Sequence, residues 1–299
     1  MNEIGTYRVL QEPRSGGAPP AGKPDALHGI LAASVRSAPA AAHAPLEATP
    51  AGSVLVGVDD SPASYAALDL AAREAELHGW ELRLLHVQHP GERRTTKAAD
   101  FRLLEGMTDR VHAAAPAVPV TSHLVTGSAA SLLLIEGGTA NLLVVGHRHH
   151  AVGTTLGLSV GDRVAAQHSG VVMVVRVPYW PPGPGIDLLP IVVGVDNHAA
   201  VTPAVTFAQT EARLRGCHLV MLHAQPNAAP AERTDTIGGV VVHHLTVDAH
   251  PAPALIDYSH RAAAVVVGRR GVGMNPVTML GSVSRAMVQH ANCPVFLAG

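Results

Sequence analysis

The chain has 299 residues, 47% of them hydrophobic and 3% aromatic, with a formal charge of −2. This length fits about two domains, the near-neutral charge excludes a global basic field for nucleic acid or an anionic membrane surface, and the few aromatic rings leave little to stack single-stranded nucleic acid on. Two cysteines, Cys217 and Cys293, make no disulfide framework, and no apolar run reaches the roughly 18 residues of a membrane span and no signal-peptide core opens the chain, so a cytoplasmic protein is expected.

Residues 1–52 are rich in Ala, Pro, Gly and Ser without sustained periodicity, the composition of a disordered leader. From Ser53 the texture changes. Val54–Val58 is a short apolar run of the kind that forms a strand buried on both faces of a parallel sheet. Asp59-Asp60-Ser61-Pro62 caps and opens a helix that runs to Trp80. Strands are expected at Leu82–Val87, Val118–Val125, Leu142–Val145 and Val171–Val177, with helices at Lys97–Ala114, Ala129–Thr139 and Ser159–His168. These make a first domain, 53–178. A proline- and glycine-rich linker, 179–190, follows.

The pattern then returns in a second domain, 191–299. Ile191–Asp196 repeats Leu55–Asp59, Thr202–Gly216 repeats the first helix, and His218–His223 repeats the second strand. Val240 begins a third strand, Ala252–Arg261 is a helix, Ala264–Val267 a strand, Ser282–His290 a helix and Pro294–Leu297 the last strand. The chain is an internal duplication of one α/β unit. Its halves differ after His223, where about sixteen loop-like residues replace a crossover helix.

The chemistry concentrates after the strand Val265–Val267. Gly268, Gly271 and Gly281-Ser282 follow the spacing Gly-x2-Gly-x9-Gly-Ser. Glycines admit an anion close to the main chain, and a helix start presents unpaired N–H groups at the positive end of its dipole. A phosphate-bearing ligand fits this pattern. So does a tight strand-to-helix connection in which Ser282 only caps the helix.

These residues resemble the universal stress protein family in a tandem arrangement. The resemblance rests on Val-Gly-Val-Asp at Val56–Asp59 and Val193–Asp196, on the spacing at Gly268, Gly271, Gly281 and Ser282, and on the tail from Ser284 through His290 to Val295. It implies two doubly wound five-stranded parallel-sheet domains, strand order 3-2-1-4-5, packed as an internal pseudo-dimer through the fifth strands. It also implies a crevice at the topological switch point between strands 1 and 4 of each domain. There ATP, with Mg2+ as its companion ion, is held on the ribose side by Val195 and Asp196, at the adenine edge by Ala224, and at the phosphates by Gly268, Arg269, Arg270, Gly271, Gly281, Ser282 and Val283. The protein is then a nucleotide-binding sensor or regulatory module of the stress response.

The first repeat keeps Asp59, Val87 and Gly146 for a weaker version of the site. His147-Arg148-His149-His150 follow, and His149 stands in place of the second glycine, where its Cβ obstructs phosphate. Leu158-Ser159-Val160-Gly161 stands for Gly-Ser-Val-Ser in a loop that reads one residue shorter. The histidine cluster lacks the ligand spacing of a metal cage, and His86 and His223 read as structural partners of neighbouring loops. No Gly-Lys-Ser/Thr or nucleophile elbow is present, so the chain is not expected to be an enzyme. Two other readings fit the same residues: an interaction scaffold for a protein partner, which includes a homodimer, and a slow ATPase.

Overall fold

The structure is a computed structural model that describes residues 52–89, 97–147, 159–177, 189–196, 201–269 and 280–299. The leader, most of the linker, the segment from Arg148 to His150, and Arg270–Gly271 lie outside the described residues.

The first repeat runs β1 (Ser53–Val58), α1 (Pro62–His78), β2 (Glu81–Gln88), α2 (Lys97–Ala114), β3 (Val120–Thr126), α3 (Ala129–Gly137), β4 (Leu142–His147), α4 (Val160–Gln167) and β5 (Val171–Arg176). The second runs β6 (Ile191–Gly194), α5 (Pro203–Arg215), β7 (Leu219–Ala224), β8 (Ala231–Ile237), β9 (Val240–Val247), α6 (Pro251–Ser259), β10 (Ala264–Gly268), α7 (Ser282–His290) and β11 (Val295–Ala298). Matching residues punctuate matching helices. Ser61 accepts from the Ser64 N–H at 3.3 Å and Thr202 from the Val205 N–H at 3.2 Å, each just before a proline. Gly79 and Gly216 end α1 and α5 at φ 66° and 65°, the left-handed conformation that closes a helix.

The eleven strands of the described residues form one sheet, in the order β3-β2-β1-β4-β5-β11-β10-β6-β7-β9-β8. Each repeat thus contributes the 3-2-1-4-5 order. The fifth strands do join, and they do so antiparallel, with Val174 opposite Val295, Met173 opposite Phe296 and Val172 opposite Leu297. Phe296 and Val175 are fully buried at this junction, so it is continuous core. One apolar layer lies between the sheet and α1, α2 and α5, and a second underlies α3, α4, α6 and α7.

The residues after His223 are where expectation fails. They are not all loop: β8 pairs antiparallel with β9 from Ala231–Thr246 to Ile237–Val240. The two-residue turn between them is Gly238-Gly239, both at positive φ (57° and 83°), as a primed hairpin turn requires. The crossover helix is absent, and a sixth strand stands at the edge instead.

Across the junction α1 and α5 bring together two helix pairs spaced four apart, Glu74 with His78 and Glu211 with Arg215. The Arg215 Nη2 donates to both Glu74 oxygens at 2.6 and 2.7 Å and to Glu211 at 2.8 Å, and His78 Nε2 lies 2.8 Å from Glu211 Oε1. All four side chains are buried. Burial pushes the Glu74 carboxyl above its ordinary range despite Arg215. At Glu211, burial is outweighed by the His78 and Arg215 hydrogen bonds and charges, and the carboxyl is held low. Glu74, His78 and Glu211 lie close enough to share a cation, and the guanidinium fills that role.

Candidate functional site

Parallel pairing places the C-terminal ends of β6, β7 and β10 along one edge of the sheet, because β6 lies between the other two. Asp196 follows β6 and is exposed; Ala224 ends β7 and Gly268 ends β10, both partly buried. The Gly281 N–H donates to the Arg269 carbonyl at 2.9 Å, which fixes the start of α7 beside the end of β10. Gly281 is the N-cap and has no side chain to cap with; Ser282 is the first helical residue and is exposed, and Val283 is partly buried. Ser284 lies beneath them, its hydroxyl donating to the Gly268 carbonyl at 2.6 Å. The structure therefore brings Val195, Asp196, Ala224, Gly268, Gly281, Ser282 and Val283 to the carboxyl ends of β6, β7 and β10, the place where the crevice is expected.

Arg269 is the exception. Its main chain is at the crevice, but its side chain is 4% exposed and points into the first repeat. The guanidinium donates to the carbonyls of Ala165 at 2.9 Å and Gly170 across the junction, and to Gly299 at 2.9 Å. Ala165 is in the last turn of α4, where carbonyls lack helical partners and a cation is favoured. Arg176 does the reciprocal job at 2.8 Å from the carbonyl of Ala291, the C-cap of α7. Side-chain contact of Arg269 with a phosphate is thereby ruled out in this arrangement, and only its peptide group remains for such a role.

The corresponding crevice of the first repeat differs at each of these points. Ser159, not glycine, caps α4, thirteen positions after Gly146, just as Gly281 follows Gly268 by thirteen. The connection is therefore not one residue shorter. Ser159 and Asp162 form a capping box: the Ser159 hydroxyl accepts from the Asp162 N–H at 3.0 Å, and Asp162 accepts from the Ser159 N–H at 3.1 Å. His147 Nε2 donates to the same carboxylate at 3.3 Å. That bond, then those from Ser159, hold the Asp162 carboxyl at about 2 against the opposing effect of burial. The helix N-terminus thus carries the chain's own anion. Gly146 is occupied as well: a Cβ on it would lie 2.7 Å from the Ala63 carbonyl oxygen, so the glycine lets α1 approach β4. Asp59 accepts from the Ser61 N–H at 2.9 Å and from its hydroxyl, ordering the entry to α1, while Val87 sits partly buried near the end of β2.

His86 and His223 hold matching places. Nδ1 of each donates to a carbonyl at the end of the first strand of its repeat, that of Val58, the last residue of β1, at 2.7 Å and that of Val195, just after β6, at 3.1 Å. They are structural pegs, as their recurrence in the sequence implies. Their far sides differ: His86 Nε2 faces Asp100 of α2 at 3.5 Å, and His223 Nε2 faces Gln225 at 3.2 Å. The loss of the second crossover helix takes the aspartate with it. The second crevice is altered on its other side too, because α5 opens seven positions after Asp196 where α1 opens three after Asp59, which adds about one helical turn of connecting chain.

The Asp162 box was legible as Ser-x2-Asp ahead of a helix. The buried tetrad also left a signal: polar residues four apart at the same helix positions in both repeats. Nothing in the sequence marks the destination of the Arg269 side chain.

Two doubly wound units fused edge to edge define a tandem α/β protein with a topological switch point in each half. The sequence profile of the universal stress protein family matches residues 51–176 and 228–298. The chain belongs to that family. Universal stress protein Rv1996 of Mycobacterium tuberculosis is 28% identical over 301 residues, covering 82% of this chain and 94% of its own. Universal stress protein Rv2623 of the same organism is 29% identical over 285 residues, covering 82% and 95%. The crystal structure of a universal stress protein from Archaeoglobus fulgidus covers 82% of this chain and 97% of its own with a TM-score of 0.63 at 17% identity, a likeness of fold. The profile leaves out residues 177–227, yet β6, α5 and β7 lie there and complete the second unit. Among the described residues no helix is long and apolar enough to cross a membrane.

Proposed function

We propose that the second repeat binds an adenine nucleotide, with ATP and Mg2+ as the leading candidate, and that the protein acts as a regulatory binding module and not as an enzyme. The observation that carries this reading is the contrast between two equivalent helix starts. At α4 the anion position is filled by Asp162; at α7 the cap is bare Gly281 with Ser282 exposed beside Gly268. Negative charge is favoured at such an end, and backbone N–H groups there suit phosphate oxygens. Asp196 and Ala224 at the neighbouring strand ends are the groups for ribose and base, and Arg270 and Gly271 complete the phosphate loop. In the first repeat Asp59, Val87 and Gly146 are not expected to bind nucleotide. The ligand acts by favouring one arrangement of the loops it touches.

Ser282→Asp tests this directly. A carboxylate at the first position of α7 is compatible with the helix dipole, so the melting temperature should hold or rise. It also competes with phosphate, and calorimetric affinity for MgATP should fall by about tenfold or more, the equivalent of about 1.4 kcal/mol. Unchanged affinity in that variant, or loss of binding on Asp59→Ala, overturns the assignment.

A further inference from the structure

The strand that replaces the crossover helix is an open end of the sheet. β8 pairs with β9 on one side and is last in the strand order. Every residue of it except Asp235 is exposed, so neither face is covered. A two-residue turn closes on a hydrogen-bonded pair, here Ile237–Val240. The ladder to β9 therefore uses Ala231, Arg233, Asp235 and Ile237, and the N–H and C=O groups of Glu232, Thr234 and Thr236 point outward. Such an edge is a template for another strand.

Its sequence is complementary to itself. Reversed about Thr234, Arg233 falls opposite Asp235, Ala231 opposite Ile237, Glu232 opposite Thr236, and Thr234 opposite Thr234. We propose that β8 is a docking edge for a second copy of this chain, antiparallel and centred on Thr234, continuing the sheet across a two-fold axis. Two cross-strand ion pairs and two Ala–Ile contacts then share one face, and the central threonines exchange backbone hydrogen bonds, each an arrangement that favours pairing.

The register follows from charge. Directly opposed residues share a face, so a symmetric pairing that keeps the two copies the same way up must centre on a residue. Centring on Arg233 opposes two arginines, and centring on Asp235 opposes two aspartates. In the single chain Arg233 Nη1 lies 2.9 Å from Asp235 Oδ2, both at the surface, an ion pair that the dimer exchanges for cross-strand partners. The opposite end of the sheet is a poorer edge: the same operation on β3 sets His123 against itself, and α2 packs beside that strand. One strand per copy is a small contact, so the association is reversible and concentration-dependent.

Sedimentation equilibrium on the full chain from about 10 to about 500 µM is the test, a range chosen for an interface below the standard size. The wild type should dimerise. Arg233→Asp and Asp235→Arg each oppose like charges, and each should weaken self-association by about tenfold or more. An equimolar mixture of the two variants restores both ion pairs and should recover the dimer, which also separates the effect from misfolding. A wild type that stays monomeric throughout, variants that dimerise as well as the wild type, or a mixture that fails to recover overturns the proposal.

Discussion

Asp162→Asn removes one charge from the start of α4 and leaves its shape nearly intact. The side chain is 19% exposed and accepts from Ser159 and from His147. Its carboxyl titrates near 2 in the folded protein against an ordinary 3.8, a difference worth roughly 2 kcal/mol in favour of the charged native form. Asparagine keeps part of the cap, so the expected loss at pH 7 is about 1–2 kcal/mol. The sign with pH is definite. The folded value lies below the unfolded one, so the stabilisation is complete above about pH 4 and fades as pH falls toward 2; near pH 3 roughly half remains. Urea unfolding of wild type and variant, followed by circular dichroism at pH 7 and pH 3, reads this directly. The gap between the two proteins should shrink by about 1 kcal/mol on acidification, half or more of its value at pH 7. An equal gap at both pH values, or none at pH 7, refutes the claim that an ionised Asp162 occupies the helix N-terminus.

Two further substitutions probe the junction and the packing behind the first crevice. Arg269→Met strands the buried carbonyl of Ala165 and the part-buried carbonyl of Gly170; stability should fall by about 2–4 kcal/mol, and amide exchange of β5 and β11 should accelerate. Gly146→Ala drives a methyl to 2.7 Å from the Ala63 carbonyl oxygen and should cost about 1–3 kcal/mol in denaturant titration while leaving nucleotide affinity unchanged.

Most of the architecture was legible because buried parallel strands advertise themselves as short β-branched runs, as Val54–Val58 and Ile191–Val193 do. Helix ends were equally plain where Ser61-Pro62, Thr202-Pro203 and the closing glycines punctuate them. β8 escaped because it is exposed on both faces: Ala-Glu-Arg-Thr-Asp-Thr-Ile has no apolar stripe to alternate, and only Gly238-Gly239 gives the hairpin away. The absence of a helix could be counted from length, but not what stood in its place. Gly268, Gly281 and Ser282 are local features of one strand-to-helix connection, and the structure sets its two ends side by side. The Arg269 side chain was not legible, since its partners are carbonyls about a hundred residues distant in sequence, Ala165 and Gly170.

The tetrad between α1 and α5 shows what fusion of two copies permits. Identical subunits related by a two-fold axis must repeat every contact, residue i on j and j on i, which at this place means two arginine–glutamate pairs or two histidine–glutamate pairs. Joined in one polypeptide, the halves are released from that rule, and Arg215 stands where symmetry would repeat His78. The same freedom let one helix start take its own aspartate while its twin kept a glycine cap. Covalent linkage here is a licence for two copies of one fold to become unlike.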